Sequence, residues 1–167
     1  MAFAALLYIY RISQTTTVSR VTNEYIEDGR PHILQDKQVP GYVTLLRIHG
    51  PFLFGTTEQL LEETIDLSKF APIVILRLRN MTAIDATGLH ALEALNGRLR
   101  KSGRTMLLCG ARRQPAEFLG QTEFVEHVGK QNILPHVKAA LERASEIYAG
   151  FSGVGKEFAH DLAKARI

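Results

Sequence analysis

The sequence predicts an α/β fold, and three observations support that prediction. The first is the nearly unbroken apolar run at Ile73–Leu78, which begins directly after Pro72 and is typical of a strand covered by helices on both faces. The second is that short β-rich segments alternate along the chain with segments whose apolar residues recur at helical spacing. The third is length, because 167 residues suffice for one domain with a hydrophobic core and are too few for two ordinary ones. We therefore expect βαβ units with right-handed crossovers.

The predicted strands are short β-rich runs bounded by glycine or proline. Three of them are expected in one sheet, at Tyr42–Ile48 between Pro40-Gly41 and Gly50-Pro51, at Ile73–Leu78, and at Thr105–Leu108. A further short strand is predicted at Ile33–Gln35, within an otherwise linker-like segment. The run at Ile73–Leu78 is predicted to be central because it is the most continuously apolar.

The predicted helices follow from apolar periodicity and from terminal signals. Thr56 and Gln59 stand at capping-box spacing before a helix predicted at Thr57–Lys69. Another helix is predicted between Asp85 and Gly103, and it carries basic residues in its last turn. Pro115 is expected in the first turn of a short helix, and Pro135 is expected to open a longer one.

Composition disfavours several classes of function. The net charge is only +3 and the basic residues are scattered, so nucleic acid is not an expected partner; the only local basic cluster is the stretch ARRQ that begins at Ala111. Cys109 is the only cysteine and lies in an apolar run. We therefore expect a buried structural thiol in a reducing, cytoplasmic setting.

The N-terminus is apolar from Ala2 to Ile12 except at Arg11. This stretch is about half of the ~20 residues that a membrane-spanning helix needs. Since Arg11 and Arg20 follow the apolar run, we expect the cytoplasmic end of a truncated transmembrane helix. The alternative is an amphipathic arm that packs on the domain or on a partner.

The stretch DATG joins the apolar run to the next helix, and its residue types suit a helix start. Asp85 is expected to be the N-cap, because its carboxylate can accept N–H groups of the first turn. Gly88 is expected to allow close approach of a loop or a ligand, and Thr87 to present its hydroxyl where an added phosphate would find free N–H donors. The residues alone leave two interpretations open, a well-capped helix or a phosphorylation-controlled surface.

Two chemical motifs are not supported. Gly150, Gly155 and Lys156 match most of a phosphate-binding loop, but Glu157 replaces the Ser or Thr that would bind Mg²⁺ and a helix precedes the segment. We predict a flexible linker there, leading into a short helix. None of the histidines has metal-ligand spacing, and His90 is expected at the surface. No metal, cofactor or catalytic residue is predicted, and an NTPase is the weakest of the hypotheses.

Three segments of the chain together resemble one family. The segment MTAIDATGLHALEAL resembles the signature segment of STAS domains, VTLLRIHGPFLFGTTEQL is similar to the first conserved block of the STAS domain of SulP anion transporters, and YIYRISQTTTV resembles the end of the last transmembrane helix of those transporters. The resemblance covers roughly Tyr8–Ala149 and implies an α/β, STAS-type sandwich: a mixed central β-sheet with helices packed mainly on one face. We accordingly expect a membrane-helix end and linker at 1–19, a STAS domain at 20–149 and a C-terminal tail at 150–167.

The same resemblance implies a function. It indicates a non-enzymatic regulatory domain of a SulP-type sulfate or inorganic-anion transporter, on the cytoplasmic face of the inner membrane. The implied partners are the membrane domain of the parent transporter, a second copy held through that transporter, and a protein or nucleotide at the loop formed by Asp85, Thr87 and Gly88. The alternative is a stand-alone anti-sigma-factor antagonist, in whose family Thr87 occupies the position that is phosphorylated.

Overall fold

The computed structural model describes residues 16–21, 39–53 and 67–164, and side chains within these ranges up to Phe151 except at position 21. Within them the chain forms one five-stranded sheet in which spatial order follows chain order. The strands are β1 Thr17–Val21, β2 Val43–Phe52, β3 Ile73–Ile84, β4 Thr105–Cys109 and β5 Ile133–Leu134. β1 is antiparallel to β2, and every other neighbouring pair is parallel. The sheet is therefore mixed, as predicted.

The three predicted strands lie in this one sheet, and the most apolar of them is central, between β2 and β4. Two boundaries were wrong. β3 continues to Ile84, well beyond Leu78, and β2 continues through Gly50-Pro51 to Phe52. The two strands extend together, because Phe52 at the end of β2 pairs with Ile84 at the end of β3. The ladder between them shifts register twice, between Arg47 and His49 and between Gly50 and Phe52.

Four helices occur in the described residues: α1 Ala86–Lys101, α2 Arg113–Gly120, α3 Phe124–Val128 and α4 Val137–Lys164. Single 3₁₀ turns lie at Leu67–Lys69 and Lys130–Asn132. α1 ends just before Gly103, whose φ of 72° is in the left-handed region. The helix starts predicted at Asp85, Pro115 and Pro135 are confirmed to within two residues.

The placement of the helices follows from the strand order. Since each parallel strand is added on the same side of the previous one, right-handed crossovers put the connecting helices on one face. α1, α2 and α3 share that face and pack on apolar residues such as Leu76, Leu92 and Phe124. α4 follows β5 and covers the opposite face through Ala140 and Ala144. The predicted sandwich, with helices mainly on one face, is confirmed.

The flexible linker predicted at Gly150–Glu157 was wrong, because α4 is continuous over Val137–Lys164. A glycine inside a helix costs only about 1 kcal/mol relative to alanine, and a helix already formed on one side propagates at little cost. The linker was predicted because the glycines were given more weight than the helix-forming residues around them. The helical backbone also removes the loop that a phosphate-binding motif requires.

Several predictions concern residues outside the described ranges. They are the apolar N-terminal stretch, the strand at Ile33–Gln35, and the helix at Thr57–Lys69 apart from its last turn. In the part of the chain that the structure describes, none of the helices combines the length and the apolar character needed to cross a bilayer.

Candidate functional site

The candidate site is the turn Asp85–Gly88, where β3 ends and α1 begins. Asp85 has extended backbone angles (φ −120°, ψ −173°), and its Oδ1 accepts the Gly88 N–H at 2.9 Å. Its carbonyl oxygen accepts the Leu89 N–H at 2.9 Å and so starts the helix. This geometry is that of an N-cap, and the predicted capping role of Asp85 is confirmed.

Gly88 is buried where the end of β2 crosses the start of α1. A Cβ atom built at Gly88 would overlap the carbonyl oxygen of Phe52 and lie 2.8 Å from Ile84 Cγ1. Side-chain atoms do not approach a Cβ so closely, and a backbone carbonyl cannot move away alone. The close approach predicted for Gly88 is therefore to the last residues of β2 and β3, and it fixes α1 against β2.

Thr87 is the second residue of α1 and is half-buried, beside the exposed Ala86. The first N–H groups of a helix lack intrahelical acceptors and carry the positive end of its dipole. Asp85 occupies one of these donors. The turn thus offers a small polar surface at a helix N-terminus, with Thr87 at its centre.

Gln114, which the sequence analysis did not single out, holds this turn from the side. Its Oε1 accepts the Ile84 N–H at 3.1 Å, and its Nε2 donates to the Ile84 carbonyl at 3.1 Å. The amide therefore pairs with the last residue of β3 as a neighbouring strand would. Arg112 acts similarly upstream, where its Nε donates to the Arg79 carbonyl at 2.7 Å. In the sequence, Arg112 and Gln114 stand out only as members of the cluster ARRQ, which does not indicate that their side chains bind the backbone of β3.

Asp85→Ala is expected to lower the free energy of unfolding by about 1 kcal/mol, because the first turn of α1 loses its cap. Asp85→Asn should retain most of that stability, since asparagine caps helices equally well, and Thr87→Ala should be nearly silent. Urea unfolding monitored by circular dichroism measures all three variants. Equal losses for Asp85→Asn and Asp85→Ala would show that the negative charge, and not capping, matters.

Other candidate residues lie away from the turn. His90 is exposed on α1, as expected. Cys109 is buried on β4, and burial raises the pKa of its thiol to about 12, so it is neutral at physiological pH and is a poor nucleophile. Among the described histidine, cysteine and acidic side chains, no group of three is placed to hold a metal ion.

Two concave regions also lie elsewhere. One is apolar, with a volume of about 290 Å³, and lies between strands β3, β4 and β5 and helices α2 and α3. The other is a polar cleft of about 450 Å³ between the end of α1 and the 3₁₀ turn at Lys130–Asn132; its lining includes Arg100 and His127. Neither of these two regions is lined by a residue of the Asp85–Gly88 turn.

Comparison with known proteins identifies the fold. A model of the STAS domain matches residues 35–140, which is more than half of the chain. The chain belongs to the STAS domain family. The STAS match contains the Asp85–Gly88 turn and every described strand except β1.

Solved structures place this STAS domain among those of transporters. A sulfate transporter family protein from Wolinella succinogenes is 31% identical, with a TM-score of 0.63 over 72% of this chain and 98% of the other. The STAS domain of a SulP transporter from Vibrio cholerae is 29% identical, with a TM-score of 0.59 over 70% of this chain and 94% of the other. The STAS domain described here is thus of the SulP type.

Sequence relatives agree with that assignment. The putative sulfate transporter YvdB of Bacillus subtilis is 22% identical over 132 residues, which is 78% of this chain and 24% of the relative. Sulfate transporter 1.1 of Arabidopsis thaliana matches over 23% of its length. The chain therefore spans about a quarter of the curated relatives that it matches.

Proposed function

We propose that this STAS domain is the cytoplasmic regulatory and interaction domain of a SulP-type transporter of sulfate or another inorganic anion. The observation that carries the proposal is the match to a sulfate transporter family protein and to the STAS domain of a SulP transporter, over 98% and 94% of those two solved chains. A STAS domain that accompanies the transport machinery would act on transport through contacts. Its partners would be the membrane domain of the parent transporter and a second copy within the parent assembly.

The geometry favours contact over catalysis. The Asp85 carboxylate is engaged as an N-cap, and the Cys109 thiol is buried and neutral. The Asp85–Gly88 turn is instead rigid, because Gly88 and Gln114 tie it to β2 and β3. A rigid polar turn at a helix N-terminus suits recognition of a partner. We propose no cofactor and no nucleic-acid partner.

The location proposed is the cytoplasmic face of the inner membrane. The N-terminal apolar stretch and the arginines that follow it support an exit from the membrane at this end of the chain. A fusion of a reporter that fluoresces only in the cytoplasm to the C-terminus of the parent transporter would test the orientation. Fluorescence at the membrane is expected, and its absence with equal protein levels would contradict the proposal.

Thr87 is the residue at which regulation by charge is proposed. Thr87→Glu in the parent transporter should change sulfate uptake by about fivefold or more, the lower end of ordinary allosteric couplings, because it places negative charge on the contact surface. Radiolabelled sulfate uptake at equal expression measures the effect. Thr82→Glu is the matched control, since Thr82 is exposed on the preceding strand and outside the turn.

Parental uptake in both Thr87→Glu and Thr87→Ala would leave Thr87 as a structural residue only. The alternative function, a stand-alone anti-sigma-factor antagonist switched at Thr87, rests on the residue type at that position. It predicts binding of an anti-sigma factor by the chain alone, lost in Thr87→Glu. Regulation in the transporter is favoured because the matched relatives are transporters.

A further inference from the structure

The face of the sheet covered by α4 carries a cluster of positive charge in the middle of β2 and β3, level with the end of β4. Arg47 on β2 and Arg77 on β3 are direct partners in the parallel ladder, so their side chains leave the same face. Partners on neighbouring strands are about 5 Å apart, and like charges so placed repel. Arg79, two residues beyond Arg77, adds a third guanidinium that is exposed to solvent.

Arg77 is the unusual member of this cluster, because only 8% of its surface is exposed. The described ion pairs all lie on helices or in the loop that follows α3, and none includes Arg77. Burial lowers the pKa of Arg77, and the charges of Arg47 and Arg79 lower it further. Arginine nevertheless stays protonated, so the sheet holds a buried cation for which no described carboxylate supplies a counter-charge.

The other neighbours of Arg77 do not neutralise it. Cys109 is its ladder partner on β4, but with a pKa of about 12 the thiol is uncharged. The start of α4 also lies nearby: Val137 packs in the same cluster as Cys109, and a Cβ at Gly110 would lie 3.7 Å from Arg79 Cβ and 3.9 Å from the Pro135 carbonyl. A helix start contributes positive potential. Arg47, Arg79 and the start of α4 thus all add positive potential around Arg77.

A buried charge without a partner is costly to a fold, whereas two guanidinium groups side by side match the oxygens of an oxyanion with several charge-assisted hydrogen bonds. We propose that Arg77, together with the exposed Arg79, binds a small oxyanion of the sulfate or phosphate type on the α4 face of the sheet. The site is separate from the Asp85–Gly88 turn and does not depend on the function proposed for it.

Binding is tested by calorimetric titration of the purified 167-residue chain with sodium sulfate and with sodium phosphate, at constant ionic strength in sodium chloride. Saturable binding of both oxyanions is expected, with competition between them. Thermal unfolding in the same buffers should show a saturating rise of the midpoint with sulfate. The saturation matters because sulfate stabilises any protein weakly, and without saturation, through exclusion from its surface. Binding of phosphate alone would indicate a site for phosphate groups. Binding of sulfate alone would indicate a site for the sulfate ion itself.

The variants assign any binding to Arg77. Arg77→Gln should weaken sulfate binding at least about tenfold, since it removes a charged donor from a buried site, and should raise the unfolding midpoint in chloride alone because an uncompensated charge is gone. Arg77→Lys keeps the charge but loses the paired donors, so an intermediate affinity is expected. Arg100→Gln is the control; Arg100 is exposed and lines the polar cleft, and its loss should leave affinity unchanged.

The proposal is wrong if the parent chain shows no saturable oxyanion binding over the millimolar range. It is equally wrong if Arg77→Gln and Arg77→Lys bind as the parent does, which would mean that Arg77 only packs its aliphatic stem. Loss of binding in Arg100→Gln alone would move the site to the polar cleft. If Arg77→Gln fails to fold, the affinity of Arg77→Lys relative to the parent decides the matter.

Discussion

Gly88→Ala is expected to destabilise the domain by about 3 kcal/mol or more, at the upper end of the cost of overpacking a core. The added methyl group would meet the Phe52 carbonyl and the Ile84 side chain, so α1 would have to move away from β2. That displacement also strains the cap at Asp85. Urea unfolding of the purified chain, followed by circular dichroism, measures the loss.

Gly97→Ala is the matched control for this prediction. Gly97 lies in the same helix, and a Cβ there meets nothing within 4 Å. The substitution should therefore stabilise the domain by up to about 1 kcal/mol, the difference in helix propensity between the two residues. The same chemical change is thus expected to have opposite signs nine positions apart. Equal effects at both positions would contradict the close packing of α1 against β2.

Ile75→Asp is expected to destabilise the domain by about 4 kcal/mol or more and to leave the chain unfolded or aggregated. Ile75 is fully buried in the middle of the central strand, with Leu45 and Leu107 as its partners on either side. A carboxylate there has no water, and those two apolar partners supply no donor. Sedimentation and circular dichroism of the expressed chain report the outcome.

Thr82→Asp is the control in the same strand, because Thr82 is exposed near the end of β3. Its effect should stay within about 0.5 kcal/mol, as for most surface substitutions. The contrast separates burial from any general intolerance of β3 to aspartate. A folded Ile75→Asp variant with an unchanged midpoint would show that the central strand is not the core of this sheet.

Sequence reasoning predicted the central strand, the mixed sheet and the capping residue because each has a local cause. A run such as Ile73–Leu78 can be read as a buried strand without knowing its neighbours, and Asp85 before a periodic segment signals a helix start. The ends of the strands were harder to predict from the sequence. β2 and β3 continue past their expected limits because they pair with each other, and pairing between distant segments leaves no local mark.

In the candidate site, too, the features with a local cause could be predicted and those that depend on distant segments could not. Gly88 and Asp85 stand in one short motif, whereas the role of Gln114 depends on the end of β3, 30 residues away along the chain. The cation at Arg77 was hidden for a related reason, because alternating arginines in a strand suggest an exposed face until α4 is known to lie near it. The helix through Gly150 was missed because propensity counts glycines singly, while helix propagation is cooperative.

The agreement between strand order and chain order has a consequence for how the domain is made. In the region from Val43 onward, each new parallel strand pairs with the one completed before it, so no strand must wait for a later one to be inserted beside it. The sheet can grow at one edge while the rest of the chain is still being synthesised. The growing edge of the sheet is always the newest strand, while β1 forms the opposite edge. Truncations from the C-terminus should therefore remove elements in order, from α4 inward, and ribosome-bound chains should become protease-resistant in steps that follow β3 and then β4.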